Sequence, residues 1–238
     1  MSKQSISFFL PVRKGSERVI NKNTRPFSTY KNGLLELKLK QLQNSRLIDE
    51  IIVSTNDERC LEIAEEMQLL DPRIKAVKRP DHLGLGSTNL VDLIDYVPTL
   101  AESEHILWGH VTTPFVTEKE YDEAIQIFHV QLQKGYDSLC SVKEFRNYLL
   151  NEEGKVVNNN LPIKWPRTQD LSPLYELNHA MFIAPREVYL KERDRLGDRP
   201  FLHKMQRIHS IDIDWLEDFL VAEALFEKNI IENDGISR

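Results

Sequence analysis

Short apolar runs alternate with amphipathic segments along the first 142 residues of the chain. The apolar runs predict β-strands at 6–12, 48–53, 74–78, 105–111 and 138–142. Between them apolar residues recur at helical spacing, which predicts helices at 34–42, 61–67, from about 89 onwards and at 118–132. This alternation favours an α/β fold with a mostly parallel sheet and helices on both faces. In such sheets ligands bind at the carboxyl ends of the strands, near the point where the strand order reverses.

The alternation stops in the second half of the chain. Residues 151–173 hold three consecutive asparagines and three prolines with little periodicity, and we interpret them as a loop-rich excursion or a projecting β-arm. Regular patterns return with predicted strands at 180–183 and 208–213 and predicted helices at 186–195 and 216–228. The sequence therefore predicts a single domain over residues 1–238, with a projecting lobe at about 143–180.

Charge and cysteine content narrow the class of protein. With 238 residues and a formal net charge of −6, the chain has no net basic field, so we expect no nucleic-acid partner. Two cysteines are too few for a disulfide framework or a cysteine-based zinc site. The first residues lack the apolar region of a signal peptide, and no apolar run approaches the ~20 residues of a membrane span. We expect a cytoplasmic protein with no membrane partner.

A basic loop follows the first predicted strand, at residues 11–23. It combines a glycine and a serine with four cations, namely Arg13, Lys14, Arg18 and Lys22. A nucleoside triphosphate needs such groups, because glycine frees backbone amides and the side chains bind phosphate oxygens. The loop has neither the spacing of a Walker loop nor that of a dinucleotide-binding loop. From charge alone, a solvated basic loop is the alternative.

Asp212 and Asp214 form the clearest chemical pair in the sequence. On the predicted strand 208–213 and its end, residues two apart would face the same side. Two converging carboxylates repel unless a cation joins them, and Mg²⁺ with its oxygen ligands is the obvious one. The alternative is that Asp214 caps the helix that follows.

The basic loop resembles the signature of the acylneuraminate cytidylyltransferases, whose first loop reads roughly Pro-Ala-Arg-x-Gly-Ser-Lys-x-x-x-x-Lys-Asn. The matching residues are Arg13, Gly15, Ser16, Lys22 and Asn23. In that family the loop holds the phosphates and ribose of CTP. Glu17 departs from the pattern, since a phosphate-contacting lysine is usual there, and Arg18 one residue later could supply the missing charge.

Further segments resemble the same family in the same order along the chain. They are 54–57, Arg79-Pro80 with Leu83, 110–114, 167–182, and Asp212 to Asp214 followed by Asp218 and Glu223. The first of these also offers a helix N-cap at Asn56 or Asp57. Three positions depart: Gly86 replaces an aspartate, His110 replaces a glutamine that reads cytosine, and His179 replaces a glycine. An isolated histidine such as His110 is more often a satisfied core residue, whereas a base-reading one donates or accepts according to its tautomer.

The resemblance implies a Rossmann-like nucleotidyltransferase sheet with a small dimerisation arm, and a homodimer. It also implies an Mg²⁺-dependent enzyme that couples CTP to the anomeric hydroxyl of a 2-keto sugar acid, such as a sialic-acid-like nonulosonic acid. The implied catalytic residues are Arg13, Lys22 and Asp212, and the implied metal ligands are Asp212 and Asp214. The implied nucleotide-binding residues are Arg13, Gly15, Ser16, Arg18, Lys22, Asn23, Arg79 and His110. The implied sugar-binding residues are Arg167, Gln169, Tyr175 and Asn178.

Two alternatives stay open at this point. One is the same fold acting on another sugar acid, such as 3-deoxy-octulosonate, or on another base. The other is a non-catalytic homologue that only binds a nucleotide. The presence of both Asp212 and Asp214 argues against the second, because a repulsive pair has no use without a cation.

Overall fold

The computed structural model describes residues 4–16 and 18–228. Its strands are β1 (Ile6–Val12), β2 (Glu50–Thr55), β3 (Ile74–Lys78), β4 (His105–Gly109), β5 (Ser138–Phe145), β6 (Leu174–Pro185) and β7 (Pro200–Lys204). Its α-helices are α1 (Gly33–Gln43), α2 (Glu58–Gln68), α3 (Leu90–Leu100), α4 (Glu118–Leu132), α5 (Arg186–Glu192) and α6 (Leu216–Glu227). Short 3₁₀ turns cover Asp81–Leu83 and Thr168–Asp170. No helix in the described ranges is long and apolar enough to cross a membrane.

The seven strands form one sheet in the order β3-β2-β1-β4-β6-β5-β7. Only β6 runs antiparallel to its neighbours, β4 and β5, and the other paired strands are parallel. The predicted mostly parallel α/β sheet is therefore confirmed. The chain leaves β1 towards β2 on one side and later returns to β4 on the other, so the strand order reverses between β1 and β4. Ligands bind such sheets at this crevice.

Two apolar clusters pack on opposite faces of the sheet. Phe8 belongs to the cluster that includes buried residues of α1, α2, α4 and α6, whereas Phe9 belongs to the cluster that includes those of α3 and α5. Successive residues of a strand point to opposite faces, so a strand with helices on both sides is apolar throughout. Strand β1 is such a strand, and the helices on both faces confirm the predicted layering.

Side-chain caps begin several helices where the sequence places them. The Asp57 carboxylate accepts from the amides of Arg59 and Cys60 at the start of α2, which confirms the cap expected at Asn56 or Asp57. Asn89 caps α3, and Thr117 with Glu120 forms a capping box at α4.

The predicted strand at 208–213 is wrong. The amide of Ser210 donates to the carbonyl of Gln206 in a turn, and Ile213 makes one main-chain hydrogen bond to Thr112 instead of a ladder. The strand in this part of the chain is β7, which pairs with β5 and was not predicted. The helix predicted at 186–195 ends at Glu192, because Arg193 adopts the left-handed conformation with φ 52°.

Residues 151–173 form no strand and contain only one 3₁₀ turn. The segment is anchored by Asn158, a buried residue whose amide donates to the carbonyl of Asn147 and accepts from the amide of Leu149. Farther along, Ile163 and Trp165 are each 61% exposed. The segment is therefore a loop-rich excursion rather than a β-arm.

Candidate active site

A cavity of 480 Å³ opens at the carboxyl ends of β1 and β4, at the reversal of strand order. Eight predicted site residues line it: Arg13, Ser16, Arg18, Lys22, Asn23, Arg79, His110 and Asp214. These residues lie up to 201 positions apart in the sequence, and the fold brings them together around one space. Gly15 and Asp212, also predicted, do not line the cavity, although Ser16 and Asp214 next to them in the sequence do.

The basic loop is held in place by its own hydrogen bonds. The amide of Lys14 donates to Asn56 Oδ1 at 2.9 Å, and Asn23 Nδ2 donates to the carbonyl of Arg13 at 3.2 Å. Gly15 has a φ of 79°, which glycine adopts without strain, and a Cβ there would meet nothing within 4 Å. The glycine is therefore required for the direction of the chain and not for space. Glu17, the departure noted above, lies outside the described residues.

Lys22 connects the basic loop to the carboxylate segment. Its Nζ donates to the carbonyl of Ile213 at 2.7 Å. Burial lowers the pKa of Lys22, while the charges of Asp214 and Asp212 oppose that effect. An ammonium group next to two carboxylates and at the cavity wall is placed to bind an anion as well.

The Asp212 and Asp214 carboxylates occupy different surroundings. Burial raises the pKa of the Asp212 carboxyl group, and a side-chain hydrogen bond with Thr112 opposes that effect. The Oδ1 atom of this group is buried and has no hydrogen-bond partner among the described residues. Asp214 is exposed and pairs with Arg18 Nη1 at 2.9 Å. The charge of Asp214 also raises the pKa of Asp212, so the two groups interact although the segment is not a strand.

The N-cap residue of α6 is Trp215, so Asp214 is not the cap that was its alternative role, and Asp218 binds the chain just before the helix. Its carboxylate accepts from the amides of Asp214 and Trp215, at 3.1 and 2.8 Å. The Asp214 carboxylate is thereby left facing the cavity and Arg18. The hydrogen bonds thus favour a role in the site over helix capping.

The two carboxylates of Asp212 and Asp214 suit a cation whose remaining ligands come from the substrate and from water. Within residues 4–16 and 18–228 there is no group of three or more histidine, cysteine, aspartate or glutamate side chains that could hold a metal. Mg²⁺ is commonly bound by one or two carboxylates together with substrate phosphates and water. The unpaired oxygen of Asp212 and the exposed carboxylate of Asp214 match that pattern.

Arg79 lies almost fully buried behind the cavity, with 3% of its surface exposed. Its Nε donates to Ser54 Oγ at 3.0 Å, and its Nη2 donates to the carbonyl of the same serine. Burial lowers its pKa to about 10, so it stays a cation at neutral pH. The side chain of Ser54 therefore fixes a buried positive charge in the cavity wall.

His110 is a wall residue rather than a satisfied core histidine. Its Nε2 accepts from Trp108 Nε1 at 3.2 Å, and among the described residues the imidazole makes no other hydrogen bond. Burial lowers the pKa of His110 to about 3, so the ring is neutral. The ring of His179 lies 6.2 Å away, centroid to centroid, and lines the same cavity.

A bulge in β6 brings His179 to the cavity. Cys140 and Val142 of β5 pair with Phe182 and Leu177, so four residues of β6 lie opposite one residue of β5. His179 lies within this bulge with a φ of 55°, a conformation that glycine adopts more easily. The bulge explains why a glycine is usual at this position, and His179 adds an imidazole there.

The four predicted sugar-binding residues lie outside the 480 Å³ cavity. Asn178 is buried, where it accepts from Ser141 Oγ and donates to Ser210 Oγ. Arg167 pairs with Asp170 at 2.8 Å, and Tyr175 is partly exposed on β6.

Gln169 instead lines a second cavity of 810 Å³. Three cations also line it, namely Lys143, Arg146 and Arg207, together with Glu144, which pairs with Arg146. Ile208 and Ile211 complete the side formed by the segment that leads to Asp212 and Asp214. The segment 207–214 therefore contributes to both cavities.

Sequence reasoning missed several residues of the first cavity, namely Leu90, Leu93, Trp108, Thr112 and Arg195. Trp108 was interpreted as core packing, and it is indeed 1% exposed. Arg195 belongs to no motif. It reaches the site because α5 ends at Glu192, before the predicted end at 195, and Arg195 lies in the turn that follows. No signal in the sequence alone marks it.

Comparisons with known proteins find cytidylyltransferases among the relatives of this chain. The chain is 26% identical over 236 residues to N-acylneuraminate cytidylyltransferase of Streptococcus agalactiae serotype V, an alignment that covers 95% of the chain and 55% of that protein. It is 24% identical over 226 residues to pseudaminic acid cytidylyltransferase of Campylobacter jejuni, covering 92% of the chain and 95% of that protein. The chain thus spans about half the length of the first relative and nearly all of the second.

Solved structures share the fold at low sequence identity. CMP:2-keto-3-deoxy-manno-octonic acid synthetase complexed with CTP is 14% identical with a TM-score of 0.65, over 94% of this chain and 99% of that one. The 4-diphosphocytidyl-2C-methyl-D-erythritol synthase of Anaerococcus prevotii is 13% identical with a TM-score of 0.66, over 94% and 97%. Finally, the profile of a family described as cytidylyltransferase matches residues 8–234. The resemblance seen in the sequence is confirmed, and the chain belongs to the cytidylyltransferase family.

Proposed function

We propose that this protein transfers CMP from CTP to the anomeric hydroxyl of a 2-keto sugar acid and releases pyrophosphate. The observation that carries the proposal is the cavity at the strand-order reversal, where the basic loop faces the carboxylate segment. In the reaction the hydroxyl oxygen forms a bond to the α-phosphorus of CTP and loses its proton. The bond between the α-phosphorus and the oxygen that bridges it to the β-phosphate breaks, and that oxygen leaves with pyrophosphate. The relatives named above support an acidic sugar as the acceptor.

The residues of the cavity suit a charge-stabilising role. Arg13, Ser16, Arg18 and Lys22 would bind the triphosphate, and Asn23 the ribose. Positioning and charge neutralisation supply most of the catalysis in phosphoryl and nucleotidyl transfer, because the protein has little covalent work to do. Arg79 and His110 would contact the nucleotide from the β2 and β4 side of the cavity.

Asp212 and Asp214 would hold Mg²⁺ together with oxygens of the substrates. The ion would supply positive charge at the α-phosphate and increase the acidity of the attacking hydroxyl. The unpaired oxygen of Asp212 supports this assignment. Arg18 then has a second role, because its guanidinium neutralises Asp214 in the absence of a cation.

The 810 Å³ cavity is our candidate for the sugar-acid site. Arg146 pairs with Glu144 in the cavity wall and Lys143 pairs with Glu176, so Arg207 is the cation of this wall that makes no ion pair among the described residues and could bind a carboxylate. Gln169 could bind hydroxyl groups. The shared segment 207–214 separates this cavity from the nucleotide cavity by only a few residues. A sugar bound there could reach the α-phosphate beside Asp212.

We also propose that the protein is a homodimer, with the lobe at about 143–180 within the single domain forming the contact. Three apolar side chains of this lobe lie in solvent, since Leu161 is 43% exposed and Ile163 and Trp165 are each 61% exposed. A partner subunit would cover them and gain the free energy of burying apolar surface. The cytoplasmic location stays a prediction.

Pyrophosphate release tests the proposed reaction. CTP with Mg²⁺ would be assayed against a panel of sugar acids that includes N-acetylneuraminate, pseudaminic acid and 3-deoxy-octulosonate. Asp214→Asn should lower turnover by about two orders of magnitude or more, because a neutral amide is a weaker Mg²⁺ ligand. Asp198→Asn is the matched control, since Asp198 is exposed and lines neither cavity.

Two outcomes would contradict the proposal. If no sugar acid of the panel gave pyrophosphate with CTP, the proposed reaction would be wrong. If Asp214→Asn turned over as fast as the Asp198→Asn control, the carboxylate pair would have no role in holding the metal.

A further inference from the structure

The indole of Trp108 fixes the tautomer of His110. An indole N–H only donates hydrogen bonds, so the His110 nitrogen that faces it at 3.2 Å must carry a lone pair. That nitrogen is Nε2, and the proton of the neutral ring is therefore on Nδ1. Burial and the nearby cations, Arg195 first among them, lower the pKa of His110 to about 3, so a second proton is absent at neutral pH. His110 is thus available to the cavity as a hydrogen-bond donor.

Arg195 adds a second donor to the same cavity. Its guanidinium carbon lies 3.8 Å from the ring centroid of Phe182 and 5.1 Å from that of Trp108. Among residues 4–16 and 18–228, no side chain or carbonyl accepts a hydrogen bond from this guanidinium, and no carboxylate lies within ion-pair distance. Stacking on aromatic rings leaves the N–H groups at the edge of an arginine free to bind a ligand.

The chain around Arg195 is held on both sides. Before it, Arg193 ends α5 and pairs with Asp95 of α3 at 2.5 Å. After it, the amide of Gly197 donates to Ser138 Oγ at 3.0 Å. Arg195 therefore extends from a fixed turn, which reduces the conformational entropy lost when it binds a ligand.

The N3–O2 edge of cytosine presents two acceptors, whereas uracil carries a proton on N3. We propose that Arg195 and Trp108 determine the choice of base: Arg195 donates to this edge directly, and Trp108 acts by keeping His110 in its donating form. A hydrogen-bond donor in the wall would face the N3–H of uracil, and because both groups are donors no hydrogen bond could form. Arg195 is thus a specificity-determining residue and Trp108 a positioning residue. This inference rests on the proposed use of CTP.

Binding of CTP and UTP without sugar acid tests the inference. Titration calorimetry would compare wild type with Trp108→Phe, which keeps an aromatic ring but removes the N–H, and with Arg195→Met. Arg199→Met is the matched control, because Arg199 also stacks on an aromatic ring, 5.0 Å from the Tyr136 centroid, but lies outside the cavity. We expect Trp108→Phe to lower the CTP/UTP affinity ratio about tenfold, since His110 can then turn an acceptor towards uracil. Arg195→Met should weaken CTP binding about tenfold and UTP binding less, so the CTP/UTP ratio falls here too, and the control should change neither value.

A spectroscopic measurement tests the tautomer without any variant. Long-range ¹H–¹⁵N NMR correlations should show His110 protonated on Nδ1 in the wild-type protein. Protonation on Nε2 would overturn the role of Trp108, even if Trp108→Phe did not fold. An unchanged CTP/UTP ratio in Trp108→Phe or in Arg195→Met would overturn the inference while the proposed function stands. Failure of wild type to bind CTP would instead refute the proposed function.

Discussion

Lys38 is a buried amine that holds the loop between β4 and α4. Its Nζ donates to the carbonyls of Thr113 and Val116, at 2.9 and 2.8 Å, and to the hydroxyl of Tyr121 at 3.1 Å. The side chain is fully buried, and burial lowers its pKa to about 7. Because the same loop begins at His110, the anchor of Lys38 also supports the wall of the nucleotide cavity.

The substitution Lys38→Met removes the amine and keeps an unbranched side chain of similar length. It leaves the carbonyls of Thr113 and Val116 buried without a donor, at a cost of about 1–3 kcal/mol each. In wild type the hydrogen bonds of Lys38 avoid that cost, but at low pH the lysine is charged and the free energy of burying the charge offsets this advantage. An unfolded chain keeps the lysine protonated up to a pKa of about 10.4, whereas the folded chain releases the proton near pH 7.

Between these two values folding releases a proton, so the free energy of unfolding rises with pH by about 1.4 kcal/mol per pH unit. The advantage of wild type over Lys38→Met should therefore grow by about 2 kcal/mol between about pH 7.5 and 9. Urea unfolding at a series of pH values measures it, with Lys40→Met as a control. Lys40 is on the same helix, but its side chain is 51% exposed and pairs with Glu36 at the surface.

A flat or falling difference across that range would refute the reasoning. It would mean that Lys38 stays protonated in the folded protein, with its three oxygen partners stabilising the charge more than burial destabilises it. A parallel rise for Lys40→Met would show that the effect belongs to the whole protein and not to the buried amine.

Two further predictions concern the bulge and the assembly. His179→Gly should raise the melting temperature by a few degrees, because relief of the left-handed conformation is worth about 1 kcal/mol; a lower value in a thermal scan would mean that ring contacts outweigh the strain. Light scattering at micromolar concentration should give twice the chain mass of 27.8 kDa, and Trp165→Ser should shift it towards the monomer. A wild-type monomer that still turned over substrate would refute both the homodimer and any shared site.

The sequence predicts best where a pattern has one physical meaning. Strand β1 is apolar at nearly every position, and a run of only seven residues that ends in a glycine-containing loop favours a strand buried on both faces over a helix, so its bounds were predicted correctly. The isoleucines at 208, 211 and 213 look like a strand for a different reason. They pack on or within the core cluster as an irregular segment, because covering a core needs apolar side chains but not a β-ladder. Strand β7 was missed since it begins with a proline and carries few apolar residues.

The residues of the nucleotide cavity likewise fall into those that a local pattern predicts and those that only the fold places there. Arg13, Lys22 and Asp214 belong to short motifs, so they could be found before the fold was known. Arg195 reaches the cavity only because α5 ends at Arg193 and the turn after it is tied to α3 and β5. That placement depends on contacts between residues about 60 to 100 positions apart, which no local pattern contains.

The charges of the nucleotide cavity form one coupled set. Two carboxylates that approach each other need positive charge, and Arg18 and Lys22 supply it in the protein alone. Those two cations are also the ones proposed to bind the triphosphate. If a nucleotide took them without a metal, Asp212 and Asp214 would lose their neutralising partners. A metal that arrived without a nucleotide would instead have to displace Arg18 from Asp214. With the roles proposed above, nucleotide and Mg²⁺ would each remove the obstacle to the other, so we expect them to bind together more readily than either binds alone.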